Sequence, residues 1–221
     1  MLVALKVLLY FLGTFVFTLF LVKMLLGFAQ SLGIRSKNDI HVRWSNTSKP
    51  SLGGIAIFIS VFSAIVIYLI SHPHENVFGD QRFLSFFVGV CMAFFMGLSD
   101  DAFNTKPLIK LFTQILCGVC LIWGEVVLPL SANYWINAVV TIIWVVGLMN
   151  SLNMLDNMDG ITASIAINTF VFVIIFALVF NHSALNVYLF VMIGLLGSLA
   201  GFLLVNYPPS RLFMGDSGSQ V

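Results

Sequence analysis

The chain has 221 residues, 60% of them hydrophobic and 9% charged, with a net charge of +1 and a mean hydropathy of +1.04. A soluble domain carries about 25% charged residues and leaves too much surface in water to hide this many apolar side chains. The composition excludes a soluble enzyme, a disordered protein and a nucleic-acid binder driven by excess charge, and it makes lipid the solvent.

A membrane helix needs about 20 largely apolar residues to cross a core of about 30 Å. Stretches near residues 3–28, 52–70, 83–99, 108–127, 134–149, 161–180 and 184–206 qualify or nearly so. The first is too long between Lys6 and Lys23 for the apolar region of a signal peptide, and no A-x-A-like site follows it, so it reads as a retained helix. The fourth and fifth are the weakest: Lys110 and Glu125 sit near the ends of one, and the other is short. Pro50, Pro73, Pro107, Pro129, Pro208 and Pro209 all fall between stretches or at their ends, where a missing amide donor costs least. The unbroken apolar runs lack the two-residue alternation of a transmembrane β-barrel. The expected fold is all-α, one polytopic transmembrane bundle of about seven helices over residues 1–221.

Loop charges set the expected orientation. Arg35, Lys37, Arg43, Lys49, Lys106, Lys110 and Arg211 fall on one side, and Arg82 and Lys6 on the other. The first side is therefore expected to be cytoplasmic, with the N-terminus outside and the C-terminus inside. Asp39, Asp100, Asp101, Asp156, Asp159 and Asp216 share that side, whereas Glu75, Asp80 and Glu125 do not. Cys91, Cys117 and Cys120 lie within apolar runs and read as packing residues, despite the C-x-x-C spacing of the last two.

Four polar groups carry candidate chemistry. Asp100 and Asp101 are about 100° apart in direction on a helix, so they are expected to do different jobs, and a divalent cation would relieve their repulsion. Magnesium suits such a site because it takes one or two carboxylates plus phosphate oxygens. The plain alternative is a solvated cap for the next helix. Asn150, Asn153, Asp156 and Asp159 recur every three residues and would share a polar face on a helical turn, suited to a base, a ribose or a metal; a cap and turn is the alternative. The Gly215-Asp216-Ser217-Gly218 stretch permits close backbone approach, with amides that could face an anion. Lys49 and Gly53-Gly54 open the second helix with a point charge and a helix N-terminus, both favourable to phosphate. Together they point to a magnesium-bound phosphate compound at one membrane face.

These residues resemble the polyprenyl-phosphate N-acetylhexosamine-1-phosphate transferases. The resemblance rests on Lys49-Pro-Ser-Leu-Gly-Gly54, Ser99-Asp100-Asp101, Pro107-Leu-Ile-Lys110-Leu-Phe-Thr-Gln114, Asn153-Met-Leu-Asp156-Asn-Met-Asp159-Gly160 and Phe213-Met-Gly-Asp216-Ser-Gly218-Ser219. It extends from about residue 30 to the last residue, and the 107–114 stretch looks more like the UDP-N-acetylglucosamine branch than the phospho-N-acetylmuramoyl-pentapeptide branch. The resemblance implies transfer of a sugar-1-phosphate from a UDP-sugar to a polyprenyl phosphate in the bacterial cytoplasmic membrane. UMP is released, and a lipid-linked glycan of the cell wall or lipopolysaccharide is started. It implies Mg2+, with Mn2+ as the alternative, held by Asp101 and Asp216. Asp100, Asp101 and Asp159 become catalytic candidates, Asp100 by contacting or deprotonating the lipid phosphate. Lys49, Gly53, Gly54, Lys110, Asn153 and Asp156 become substrate-binding candidates. A homodimer is the one protein partner considered, and no nucleic acid is expected.

The chain also departs from that pattern. Val42-Arg43-Trp44-Ser45 stands where an Arg-Lys-x-His group is common, and Asn157 replaces a common glycine. The resemblance also implies further helices and a histidine-rich loop after the glycine–aspartate motif; these 221 residues do not contain them, so the chain is expected to be either a fragment or without that function. A non-catalytic membrane fragment and a transporter are the competing classes; clustering of the acids in loops on one side disfavours the second. His72, His74 and Glu75 read as a solvated outer loop, His182 as part of an outer turn, and His41 as a cytoplasmic residue.

Overall fold

The computed structural model describes residues 2–31, 49–180 and 186–221; Arg35, Lys37, Asp39, His41, Arg43 and His182 lie outside them. All regular structure among the described residues is helical: α1 (Leu2–Ser31), α2 (Gly53–Ser71), α3 (Gln81–Phe103), α4 (Pro107–Trp123), α5 (Tyr134–Leu155), α6 (Ile161–Phe180), α7 (Val187–Asn206) and the short α8 (Asp216–Ser219), with a 3-10 turn at Val77–Gly79. Six of them, α1, α2, α3, α5, α6 and α7, are long and apolar enough to cross a membrane. The fourth apolar stretch forms α4, whose 17 residues give a rise of about 26 Å, short of a full hydrocarbon core.

Local chemistry sets the helix ends. Pro107 occupies the first turn of α4, where its missing N–H is no loss. Asp80, Asn133 and Asn186 cap α3, α5 and α7 by accepting the amides of Arg82, Trp135 and Leu189. Asn104 ends α3 in the left-handed region at φ 51°.

Two helices run further than the apolar stretches suggest. The fifth does not stop near residue 149 but continues to Leu155, taking Asn150 and Asn153 onto the helix instead of into the following loop. The Asn150 side chain donates to the Val146 carbonyl and Ser151 to Gly147, so these polar groups are satisfied four residues back and do not break the helix. The third helix likewise continues past Ser99 and carries Asp100 and Asp101 on its last turns.

The helices group into two compact units. The first comprises residues 1–68 and 158–214. Its core is built from Val22, Ala56, Ile57, Ala163, Leu199, Phe202, Leu212 and Met214. At Gly201 a Cβ would lie 2.6 Å from the Phe15 carbonyl oxygen, so the glycine lets α7 seat directly on the α1 backbone. The fully buried Thr18 hydroxyl shares hydrogen bonds with Ser60 (2.8 Å) and Ser198 (3.1 Å), joining α1, α2 and α7.

The second unit comprises residues 69–157 and 215–221. Here α4 packs against α3 and α5, and α8 lies on α3 and α5. Cys117 is buried with Ala93 and Met149, its thiol 3.5 Å from the Gly89 carbonyl, and all three cysteines are free, in agreement with a packing role. Gly97 admits α8: a methyl group there would overlap the Asp216 carbonyl and stand 2.7 Å from the Ser217 Cα.

Candidate active site

In the second unit the last turns of α3 present two aspartates in different directions. Asp101 turns to α8, and its two oxygens accept the backbone amides of Asp216 and Ser217, each at 2.9 Å. The amides of the glycine–aspartate motif thus do face an anion, and it is the chain's own carboxylate at the start of α8. Asp100 turns to α4. Its Oδ1 accepts the Thr105 amide (2.8 Å) and hydroxyl (2.5 Å), and its Oδ2 lies 3.1 Å from the Lys110 Nζ. The sequence reasoning missed Thr105; a hydroxyl placed just before Pro107, where the chain must turn, was its only signal.

Lys110 is the centre of this arrangement. Its ammonium, on a side chain 17% exposed, pairs with both Asp100 and Asp216 and lies 3.4 Å from Asn153 Oδ1. Asn153 in turn donates to Asp216 Oδ1 (2.6 Å) and Ser219 Oγ (2.9 Å). Asp156, one residue past α5, accepts the Gly215 amide at 3.1 Å. Burial pushes the Asp216 carboxyl above the usual carboxylate range, and the neighbouring Asp100 adds to the push; Lys110 and Asn153 oppose it without cancelling it.

In the first unit, Lys49 donates to Asp159 Oδ2 (3.1 Å) and Ser210 Oγ (2.8 Å) and stands 5.0 Å from the Phe213 ring centre. The Ser210 amide also donates to Asp159 Oδ2, at 3.0 Å. Partial burial raises the Asp159 carboxyl, but the Ser210 amide and hydroxyl and the Lys49 ammonium outweigh it and hold the group below its ordinary value. Gly160 follows at φ 75°, and its amide donates to Asn206, whose own amide group holds the Leu212 carbonyl. Ser210 and Asn206 were also missed; neither sits in a run that marks it in the sequence.

The three-residue spacing expected to put Asn150, Asn153, Asp156 and Asp159 on one face does not persist to its last member. Asp159 lies beyond the end of α5 and takes its partners from the first unit. Gly53 and Gly54 do open α2, but their amides donate to the Phe213 (3.0 Å) and Met214 (2.8 Å) carbonyls. A Cβ on Gly53 would stand 2.8 Å from the Phe213 carbonyl oxygen, so the glycines admit the 213–214 backbone, and their amides are used by the chain itself. Among the described residues no three His, Cys, Asp or Glu side chains gather to hold a metal by themselves, His72, His74 and Glu75 included.

Residues 83–221, well over half of the chain, match the family model for glycosyl transferase family 4. The chain belongs to glycosyl transferase family 4. The matched range contains Asp100, Asp101, Lys110, Asn153, Asp156, Asp159 and Asp216. Among the proteins similar to it is a probable undecaprenyl-phosphate N-acetylglucosaminyl 1-phosphate transferase of Bacillus subtilis (strain 168). It is 24% identical over 179 residues, which cover 77% of this chain and 47% of that protein. A phospho-N-acetylmuramoyl-pentapeptide-transferase of Staphylococcus carnosus (strain TM300) is 27% identical over 194 residues, 78% of this chain and 59% of its own length. The enzyme of the same name from Leuconostoc citreum (strain KM20) is 27% identical and aligns with 95% of this chain and 69% of its own. The family-4 chain thus spans about half to two thirds of the length of the relatives it matches.

Proposed function

We propose that this family-4 chain serves transfer of a sugar-1-phosphate from a UDP-sugar to a polyprenyl phosphate, with release of UMP, at the cytoplasmic face of a bacterial inner membrane. The supporting observation is the convergence of Asp100, Asp216 and Asn153 on the Lys110 ammonium, at the ends of helices built for lipid. A cation held between carboxylates at a helix end is suited to phosphate at the membrane surface. The basic loops on the same side support the cytoplasmic placement.

In this reaction a phosphate oxygen of the polyprenyl phosphate attacks the β-phosphorus of the UDP-sugar. The bond to UMP breaks, and the sugar stays on the β-phosphoryl group, so no protein nucleophile is needed. Lys110 offers a point charge to the phosphates. Thr105 and Lys110 occupy the Asp100 oxygens, which favours a role for Asp100 in orienting Lys110 beside the lipid phosphate over abstraction of a proton. Asn153 and Asp156 fix the α5 end against the glycine–aspartate motif, where the nucleotide would lie. Within the first unit, Lys49 and Asp159 form a separate charged pair, itself proposed to bind phosphate.

The donor set suits Mg2+, or Mn2+, at Asp101 and Asp216. Each Asp101 oxygen accepts one amide and keeps a lone pair; Lys110 and Asn153 hold the Asp216 oxygens, so Lys110 would have to turn from Asp216 towards substrate phosphate for the ion to bind there, and magnesium ordinarily completes its shell with substrate phosphate and water. When bound, the ion would supply charge stabilisation to the pyrophosphate. The sugar proposed is N-acetylglucosamine, on the 107–114 stretch. Phospho-N-acetylmuramoyl-pentapeptide is the second reading, favoured by the relatives that carry that name across nearly the whole chain.

The test is UMP release by the chain in lipid nanodiscs with undecaprenyl phosphate, Mg2+ and either UDP-N-acetylglucosamine or UDP-N-acetylmuramoyl-pentapeptide. Release with the first donor alone supports the primary reading, and with the second alone the other. No release with either, from protein that is folded, sinks both and leaves the non-catalytic fragment. Solute flux into vesicles without UMP release would point to a transporter.

A further inference from the structure

One helical turn below the Lys110 cluster, the second unit contains a second, uncharged polar layer. Gln114 is 1% exposed on a helix that is otherwise apolar from Ile115 to Trp123. Its Oε1 accepts from Asn150 Nδ2 at 2.7 Å, and its Nε2 donates to Asn150 Oδ1 (3.3 Å) and Gln220 Oε1 (3.0 Å). Gln220 is 3% exposed and closes α8, its backbone amide donating to the Asp216 carbonyl at 3.1 Å.

The two layers have the same construction. On α4, Lys110 and Gln114 are four residues apart; Asp216 and Gln220 are four apart at α8; and Asn150 and Asn153 are three apart on α5. Such spacings put each pair on one helical face, one turn apart. Each of the three elements therefore contributes one side chain to the charged layer (Lys110, Asp216, Asn153) and one to the carboxamide layer (Gln114, Gln220, Asn150). The charged layer can tolerate sliding, because an ammonium donates to carboxylates over a range of angles. The reciprocal pair of Gln114 and Asn150 cannot slide without breaking two bonds and so fixes α4 against α5, and the buried Gln114–Gln220 bond, with little water at hand to replace it, ties the end of α8 to that pair.

We propose that Gln114 and Asn150 are positioning residues: their carboxamide layer sets the register of α8 against α4 and α5, and so holds Asp216 at Lys110. Neither need touch substrate. The kinetic part of the inference rests on the transferase reading above; the structural part does not.

The test uses the full chain in nanodiscs, with Gln114→Leu and the reciprocal exchange Gln114→Asn with Asn150→Gln. In Gln114→Leu, amide hydrogen exchange over residues 215–221 should rise roughly tenfold, the size of one lost coupled contact, while α3 and α5 exchange as in the parent. The reciprocal exchange, which keeps both carboxamides, should restore most of that protection. With UDP-sugar turnover as the readout, Gln114→Leu should lower kcat roughly tenfold with KM within about twofold, since substrate contacts survive and alignment does not. Unchanged exchange at 215–221 overturns the proposal. So does an equal rise along all helices, or a reciprocal variant no better protected than Gln114→Leu. If the parent chain releases no UMP, the transferase reading fails while hydrogen exchange still decides the register lock.

Discussion

Asp101 on α3 and Ser217 on α8 are 116 positions apart in the chain, and the carboxylate of one accepts the backbone amide of the other at 2.9 Å, beside a matching bond from the Asp216 amide. A side chain binding main chain depends on the carboxylate and on no other side chain. Asp101 is thus both a proposed metal ligand and the anchor of the motif that supplies the other one.

Asp101→Asn keeps the size and loses the anchor. An amide group presents one acceptor where two donors wait, and bonds to a charged acceptor contribute about 1.5–3 kcal/mol. At roughly 2–4 °C per kcal/mol for a chain of this size, the unfolding midpoint in detergent should drop by several degrees. A midpoint equal to the parent's would remove the anchoring role.

Gly97→Ala tests the seat of α8. The added methyl overlaps the Asp216 carbonyl, and backbone on both sides cannot move aside as a flexible side chain could. Overpacking of this kind costs about 1–3 kcal/mol. Gly147→Ala, where a Cβ meets nothing within 4 Å, is the control and should be neutral or slightly stabilising. SDS titration of the two variants should separate them, with Gly97→Ala unfolding at the lower detergent fraction.

The pair of Lys49 and Asp159 gives a pH dependence whose sign follows from Asp159 being held below its ordinary value. Where the unfolded chain has taken up a proton and the folded one has not, stability rises with pH. The contribution is therefore complete above the unfolded carboxylate value of about 3.9 and is lost as pH falls through the lower folded value. Comparison with Asp159→Asn should show a gap of up to about 1 kcal/mol at pH 7 that closes below about pH 4, modest because the pair is partly exposed. A gap that widened on acidification would contradict it.

Removal of divalent ions should abolish UMP release if Asp101 and Asp216 hold a metal. EDTA should bring the rate to background, and Mg2+ or Mn2+ should restore it in the parent but not in Asp216→Asn. Full activity in EDTA would refute the metal assignment while leaving Lys110 as the proposed phosphate partner.

The membrane class was legible because charge is scarce: in a chain this apolar, each retained Asp or Lys stands out against its run. The divergence of Asp100 and Asp101 followed from the helical rotation per residue. The carboxamide layer was not legible, since Gln114 and Gln220 are ordinary letters until helix packing sets them face to face. Asp159 misled for a related reason. Its spacing continues that of α5, but the helix stops at Leu155, and periodicity has no meaning past a helix end. Gly53 and Gly54 misled because a helix N-terminus has open amides only until another part of the chain claims them, and those claimants lie some 160 residues downstream.

The first unit is made of residues 1–68 and 158–214, with the second unit's main block encoded between them. During synthesis α1 and α2 reach the membrane while the carbonyls of Phe213 and Met214 do not yet exist, so the amides that open α2 have no permanent partner for most of translation. Residues 69–157, by contrast, emerge in one continuous run. The order of assembly follows: α3, α4 and α5 can settle against one another first, the first unit is completed when residues 158–214 arrive, and the second gains its last helix, α8, only after that.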